Sequence, residues 1–405
     1  SDWSSDVCSS DLTITESAKA FMPKLSEIRR DFHMHPEVSQ HEERTGKKVA
    51  EYLKEMGCDE VYENVGGYGV VGVIKGKKPG KVVALRADMD ALQIQEMNEV
   101  PYKSQNDGVM HACGHDNHMT GLLGAAMLLC ERREEIAGTV KLIFQPAEEM
   151  SPVGGSRGML HSGYMDDVEA VFGLHVWPDL PHGKIGVKAG PLMAATDHFT
   201  INIHGKTAHG AKPNQGIDAV VLGSQFVMAA QTIVSRKVDP LDNAVVTFGI
   251  FNAGTRYNII AGDCTLDGTV RTLNEDTRAM IEDSMRKTLD GLCLQSGATA
   301  DINYGHGYPA LVNHEEDAEL IRNTAIKLFG KDDVVDVKLP AMPAEDFSFY
   351  LKEKKGAFVW LGTAKPEQDP VWPLHNSRFD VDEDILWRGS SLLAQIGRAS
   401  CRERV

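Results

Sequence analysis

The stretch Thr120-Gly-Leu-Leu-Gly-Ala-Ala-Met-Leu-Leu-Cys-Glu-Arg132 reads as a helix, and strand-like apolar runs flank it at 70–74, 81–86, 139–144 and 170–175. Strands alternating with helices predict an α/β layered domain built on a largely parallel sheet. Further upstream, residues 16–31 and 41–56 have helical periodicity, the second behind a Ser39-x-x-Glu42 capping box. After Gly190-Pro191 the pattern changes. Residues 199–204 alternate, 217–234 form a long apolar-faced helix, 244–251 and 264–271 are strands, 275–294 is a helix and 300–304 a strand. That βαββαβ order is the split, ferredoxin-like unit, at roughly 115 residues long enough to be a domain. The α/β pattern resumes after His306-Gly-Tyr-Pro309 and runs through 358–362 to a last helix near 383–393. We expect a discontinuous first domain, 13–189 and 306–395, interrupted by an α+β domain at 190–305.

Composition bounds the function. The chain has 405 residues, 42% hydrophobic and 25% charged, ample for a sizeable core. With 42 Lys and Arg against 58 Asp and Glu, the net charge is −16, which disfavours a nucleic-acid partner. The longest apolar run, 121–130, is about half of the ~20 residues that a bilayer span needs. No basic stretch followed by an apolar one opens the chain, so we expect a cytoplasmic protein without a membrane partner.

The ends stand apart. Cys8-Ser-Ser-Asp-Leu12 can be encoded by TGCTCTTCCGATCT, and the reverse complement, AGATCGGAAGAGCA, encodes Ile396-Gly-Arg-Ala399. Both resemble translated sequencing-library adapters, and we expect residues 1–12 and 396–405 to be non-native. The remaining cysteines, Cys58, Cys113, Cys130, Cys264 and Cys293, are scattered and form no Cys-x-x-Cys, as reduced thiols do.

Three motifs point to chemistry that their context denies. Gly67-Tyr-Gly-Val-Val-Gly72 matches a dinucleotide fingerprint, but more strand follows it where a helix is required. Gly154-Gly-Ser-Arg-Gly158 matches a nucleophile elbow, yet a loop with Pro146 and Pro152 separates it from the preceding strand. His41-Glu-Glu-Arg-Thr45 has Thr where a zincin helix needs its second His, and reads as a helix start.

Met110-His-Ala-Cys-Gly-His-Asp-Asn-His118 packs a thiol, three imidazoles and a carboxylate just before the 120–132 helix. Thiolate and imidazole suit zinc and other late first-row divalent ions, though a reactive thiol or a polar helix cap would use the same residues. Gln145-Pro-Ala-Glu-Glu149 follows a strand, and adjacent carboxylates on extended chain point opposite ways, fit for two separate jobs or merely exposed. Asp88 and Asp90 end another strand on one face, His175 ends a further one, and Leu374-His375 comes late. The C-terminal edge of an open α/β sheet is where ligand chemistry collects.

Taken in order, Arg86-Ala-Asp-Met-Asp90, His111-Ala-Cys-Gly-His-Asp116, Gln145-Pro-Ala-Glu-Glu149, Gly173-Leu-His175 and Leu374-His375 make the chain resemble the metal-dependent aminoacylase/carboxypeptidase amidohydrolases over about 15–395. It is most similar to the branch of hippurate hydrolase, the indole-acetyl-amino-acid hydrolases and N-acetyl-diaminopimelate deacetylase. The resemblance implies a metallopeptidase-type catalytic domain and makes the inserted unit a lid and dimerisation domain. It implies two divalent ions (Zn, Mn, Co or Ni) on Cys113, His115, Glu149, His175 and His375. Glu148 would be the general base and Asp90 an orienting group. His209, by itself an ordinary loop histidine in Gly205-Lys-Thr-Ala-His-Gly210, would stabilise the oxyanion. Asn258 and Arg271 would meet a substrate carboxylate, although Arg271 also suits a structural ion pair. Elsewhere in the family the strand-end motif is His-x-Asp. Here Asp88 stands in place of that His, and its role is open.

The expected reaction is hydrolysis of a small N-acyl amino acid (acetyl, benzoyl or aryl-acetyl) by a homodimer or dimer-based oligomer. A carboxypeptidase or dipeptidase would use the same site. A thiol enzyme with Cys113 as nucleophile and a non-catalytic binding homologue are readings of other classes. Chelation separates the thiol reading from the metal one.

Overall fold

The structure, a computed structural model, describes residues 9–402, with side chains from Ile14. Of the amino-terminal segment set apart above, residues 1–8 lie outside the described residues.

The chain divides into two compact units. One holds the chain up to Gly190, Val312–Leu339 and Asp346 onward; the other holds Pro191–Leu311 and Pro340–Glu345. The first is built on an eight-stranded sheet in the order Glu60–Val65, Gly69–Lys75, Ala137–Gln145, Lys78–Asp88, Ala170–Pro181, Lys355–Ala364, Ile185–Val187, Val334–Asp336. The four central strands, from Ala137–Gln145 to Lys355–Ala364, are mutually parallel, and antiparallel pairings flank them. Gly69–Lys75 is buried in all but its last residue, as continuous apolar runs inside a covered sheet are.

Register brings the ligand-type residues to one edge. Asp88 pairs with Gln145, and Arg86 with Gly173 on the other side, so two residues on Asp88 and His175 are level. His175 in turn pairs with Trp360. Helix His115–Glu131 is buried from end to end except near its last turn, which explains an apolar pattern all round it.

Several expectations change on contact with the structure. The 16–31 helix is two helices, Ser9–Ala20 and Met22–Met34, broken at Phe21 before Pro23, which has no N–H to continue the first. The capping box does not form. Ser39 Oγ donates to Asp90 (2.6 Å) and Glu42 accepts from the Ala147 N–H (2.8 Å), while Glu37 caps helix Glu43–Glu55 by accepting from the N–H groups of Arg44 and Thr45. Gly66 and Gly67, both at positive φ, form the hairpin turn between Glu60–Val65 and Gly69–Lys75, which disposes of the dinucleotide reading. Ser156 is fully buried at the start of the short helix Ser156–Leu160 and is no exposed nucleophile. The last helix, Leu386–Ser400, runs past residue 395, burying Ile396 and Cys401, and Arg398 reaches Glu135.

In the second unit, Ala244–Ala253, Asp263–Thr272, Ala195–His204 and Thr299–His306 form an antiparallel sheet in that order. Helices Ala219–Arg236 and Glu275–Ser296 share a separate core with it, including Phe199, Phe226, Leu266 and Ile281. This is the ferredoxin-like arrangement read from the βαββαβ order. Residues 340–345 join this unit because the Ala194 N–H bonds the carbonyls of Ala341 and Pro343 (both 3.1 Å).

Candidate metal centre

Cys113, Gly114 and His115 make the turn into the central helix. Gly114 sits at φ 83, and a Cβ there would stand 2.4 Å from Val176 Cγ2, so only glycine lets the chain turn so close to the sheet. Two further loops carry non-glycine residues in left-handed backbone: Ala147 (φ 56) and His375 (φ 63). Each is held by a hydrogen bond, Ala147 N–H to Glu42 and His375 N–H to the Ala112 carbonyl (both 2.8 Å). Such backbone costs about 1–3 kcal/mol and persists where surrounding contacts over-determine it. The turn at Ala147 also corrects an expectation. Glu148 and Glu149 are not on extended chain and do not oppose each other; both place a carboxylate oxygen within 4.8 Å of the same His115 nitrogen.

The potential ligands converge. The donor atoms of Cys113, His115 and His175 lie within 4.8 Å of one another, as do those of Cys113, Glu149 and His375, so the two triads share the thiol. Cys113 Sγ is 3.5 Å from His175 Nε2, and His375 Nε2 is 3.2 Å from Glu149 Oε1. The histidine tautomers are set from behind. His175 Nδ1–H donates to the Val176 carbonyl (2.6 Å) and His115 Nδ1–H to the Asp90 carbonyl (2.7 Å), so both turn a lone pair on Nε2 inward. His115 Nε2 and Glu149 Oε1 are buried atoms without a hydrogen-bond partner. Orphaned acceptors facing a thiol and further imidazoles are what a divalent cation would satisfy.

The His115 imidazole is lowered by burial, but Asp88, Asp90 and Glu149 more than reverse this and raise it to about 10, so a cation at Nε2 would displace a proton. Burial, then the Glu149 and Glu148 carboxylates, push the Cys113 thiol well up. A nucleophilic cysteine needs the opposite shift. Burial and the neighbouring His118 keep His175 well below its ordinary value, neutral and able to ligate. Burial raises the Asp88 carboxyl, but His115, His118 and Arg86 more than reverse this and hold it anionic.

Several participants were not singled out in the sequence. His118 has both nitrogens engaged, Nδ1–H to Asp88 (2.6 Å) and Nε2 accepting from the Val176 N–H (3.0 Å), so it braces Asp88. Asp346 gathers Arg86 and Gln145 (2.9 Å each) and the N–H groups of Gly155 and Ser156 (3.0 Å each), while its own N–H faces Glu148 Oε1 at 3.4 Å. Ser39 and Glu42 were read as a cap. His118, Arg86 and Gln145 had a signal, lying inside motifs already quoted; nothing near Asp346 distinguishes it.

The model of peptidase family M20/M25/M40 matches residues 84–398. The chain belongs to that family. Over 288 residues, 71% of this M20 chain and 77% of the relative, it is 44% identical to an N-acyl-L-amino acid amidohydrolase of Geobacillus stearothermophilus. It is 41% identical over 366 residues (90% and 92% of the two chains) to thermostable carboxypeptidase 2 of Saccharolobus solfataricus. The crystal structure of a dinuclear metal-binding M20 peptidase from Bacillus subtilis superposes with a TM-score of 0.82 at 37% identity, covering 94% of this chain and 98% of that one.

The remaining candidates of this M20 chain lie in its second unit. His209 is exposed, and the strand pair Ala208–His209 with Ile259–Ile260 sets it next to Asn258, whose carbonyl accepts from the Gly210 N–H (2.9 Å). The His209 Nδ1 accepts from the Ala211 N–H (3.0 Å), which leaves the ring proton on Nε2. Asn258 Oδ1 is buried without a partner. The half-buried Arg271 bonds the Thr269 hydroxyl and the Val270 carbonyl; the Asp197 carboxylate is taken by Arg278 instead. Among the described residues Arg271 forms no ion pair.

Proposed function

We propose that the protein is a metal-dependent amidohydrolase that hydrolyses small N-acyl amino acids to a carboxylic acid and a free amino acid. The observation that carries this is the pair of triads sharing Cys113, with the Glu148 carboxylate beside them, in a chain closely related to a named N-acyl-L-amino acid amidohydrolase. Cys113, His115, Glu149, His175 and His375 would hold two divalent ions. One thiolate with three imidazoles suits Zn, Co or Ni, and the carboxylate admits Mn. Such ions supply positive charge that acidifies water and polarises an acyl oxygen.

The chain's own groups do the rest. Glu148 accepts a proton from the attacking water and delivers it to the departing amine nitrogen. The Asp346 N–H beside Glu148 Oε1 helps to fix the carboxylate that moves this proton. Asp90 orients His115 through its carbonyl, and its carboxylate receives the Glu149 N–H (2.9 Å). His209, with its proton on Nε2, is in the form that donates to an oxyanion. Asn258 and Arg271 suit the substrate carboxylate, Arg271 as a desolvated cation that the Asp197 charge only partly offsets.

The inserted unit would serve as lid and dimer surface and the ends 1–12 and 396–405 would be foreign segments; residues 306–311 and 340–345, expected in the first domain, group with the inserted unit instead. Ala244–Ala253 is an edge strand with Val245, Ile250 and Phe251 exposed, and helix Ala219–Arg236 exposes Val220, Val221 and Met228, a surface that suits a second copy. Among the described residues no helix is long and apolar enough to cross a membrane. Free cysteines accord with a cytoplasmic setting.

The carboxypeptidase relative keeps a second reading in play, cleavage of a peptide's terminal bond by the same groups. A panel of N-acetyl-, N-benzoyl- and indole-acetyl-amino acids with dipeptides and blocked peptides separates the two. We expect kcat/KM to be highest for an N-acyl amino acid. Turnover confined to peptides would overturn the assignment.

A further inference from the structure

Cys130 lies in the last turn of helix His115–Glu131, and Cys58 stands in the short link between helix Glu43–Glu55 and strand Glu60–Val65. The two thiols are neighbours, each shifting the other's titration. One arginine fixes both sides of the pair. Arg133 donates to the Gly57 carbonyl (2.6 Å) and the Asp59 carboxylate (2.5 Å), the two neighbours of Cys58, and lies 3.8 Å from Cys130 Sγ. Both thiols are half-buried, and Cys130 lines an open cleft of about 640 Å³ with Tyr52, Met56, Gly57, Met127 and Arg133. A small reagent can therefore reach the sulfur. The central helix separates this cluster from the metal loop by its full length, about 25 Å at 1.5 Å per residue.

We propose that Cys58 and Cys130 are a reversible dithiol–disulfide pair, a modification site for low-molecular-weight disulfides that is independent of the metal centre. The surroundings divide the roles. The Cys58 S–H donor and the Arg133 guanidinium favour the thiolate at Cys130, whereas Cys58 stays protonated. Cys130 thiolate attacks a disulfide RSSR, forming the Cys130–SR bond and expelling RS⁻, which takes up a proton. Cys58 then loses its proton, attacks the Cys130 sulfur, closes the Cys58–Cys130 bond and expels the second RS⁻. Two protein thiols are oxidised and one RSSR is reduced to two RSH.

The test is to equilibrate the full chain in glutathione buffers of increasing oxidised fraction and map peptides without reduction. The expected result is a single Cys58–Cys130 cross-linked peptide and two thiols lost per chain, both restored by dithiothreitol, with the circular dichroism unchanged. Cys58→Ser should then accumulate one stable glutathionyl group on Cys130, and Cys130→Ser should leave Cys58 at least tenfold slower to modify than Cys130 is in the native chain. Absence of the cross-linked peptide in the folded native chain would overturn the proposal, as would its appearance only after denaturation. Modification of Cys58 at the native rate in Cys130→Ser would overturn the order of attack. If either variant fails to fold, the native map alone decides.

Discussion

His115 and His175 illustrate what a single residue contributes: each points its Nε2 lone pair inward because a carbonyl behind it holds the Nδ1 proton. Cys113 completes both triads, and its removal should be felt by both ions. Cys113→Ala is predicted to lose at least one equivalent of metal per chain, measured by elemental analysis of the dialysed protein; undiminished content would remove Cys113 from the ligand set. Glu148→Gln is predicted to keep its metal and fold but lose about 10²–10⁴-fold in kcat, because an amide cannot accept the water's proton. Near-native turnover there would move the base to another carboxylate. At this scale the sequence was most legible where the chemistry is local, as in residues 111–118, which supply Cys113, His115 and His118 from one turn. It was least legible at Ser39 and Glu42. Their spacing obeys the local rule for a capping box, but Asp90 and the Ala147 N–H, 51 and 105 residues away, claim the two side chains. Asp88, left open by its departure from the family's His-x-Asp, is a buried anion shared by Arg86 and His118.

Elements are tied together by a second buried charge cluster. Arg29 and His33, on helix Met22–Met34, meet Asp116 in the first turn of the central helix (2.9 and 2.7 Å), and His33 also meets Glu96 (3.2 Å) while its ring packs on Tyr102. Burial and the Arg29 charge lower the His33 pKa, but the Asp116 and Glu96 carboxylates outweigh them and raise it from 6.5 to about 9. A raised folded-state pKa stabilises fully below the unfolded value near 6.5 and is lost as pH climbs through 9. The shift corresponds to about 3 kcal/mol at most. Urea midpoints should therefore fall between pH 6 and 9.5 in the native chain, and His33→Gln should flatten that slope while being less stable at pH 6. An unchanged slope in the variant would assign the dependence elsewhere. Of this cluster only Asp116 lay inside a quoted motif, since the other members come from separated segments that carry no pattern of their own. The break at Phe21 was, in hindsight, written by Pro23; apolar periodicity carried through it because both helices bury the same side.

For the whole molecule, the switch in pattern after Pro191 exposed two architectures, since an alternating antiparallel strand and a fully buried parallel one differ in sequence. The contribution of residues 340–345 to the second unit was hidden, because its bonds to Ala194 join positions far apart in the chain. The proposed dimer makes a prediction at this scale. If His209 completes the site of the other subunit, mixing inactive His209→Ala chains with inactive Glu148→Gln chains restores about a quarter of native activity at equal ratio, since half the dimers are mixed and each has one intact site. With a loop that closes in cis, no mixed dimer has an intact site, and activity stays at background after proven subunit exchange.

We propose that Cys113, His115, Glu149, His175 and His375 assemble a two-ion centre on which amide hydrolysis depends. The most direct measurement follows turnover of an N-acyl amino acid and bound metal together while chelated enzyme is titrated with a divalent ion. The stripped chain is expected to show no turnover, and recovery is expected to be complete only as occupancy reaches two ions per chain. Undiminished hydrolysis by the metal-free chain would contradict it.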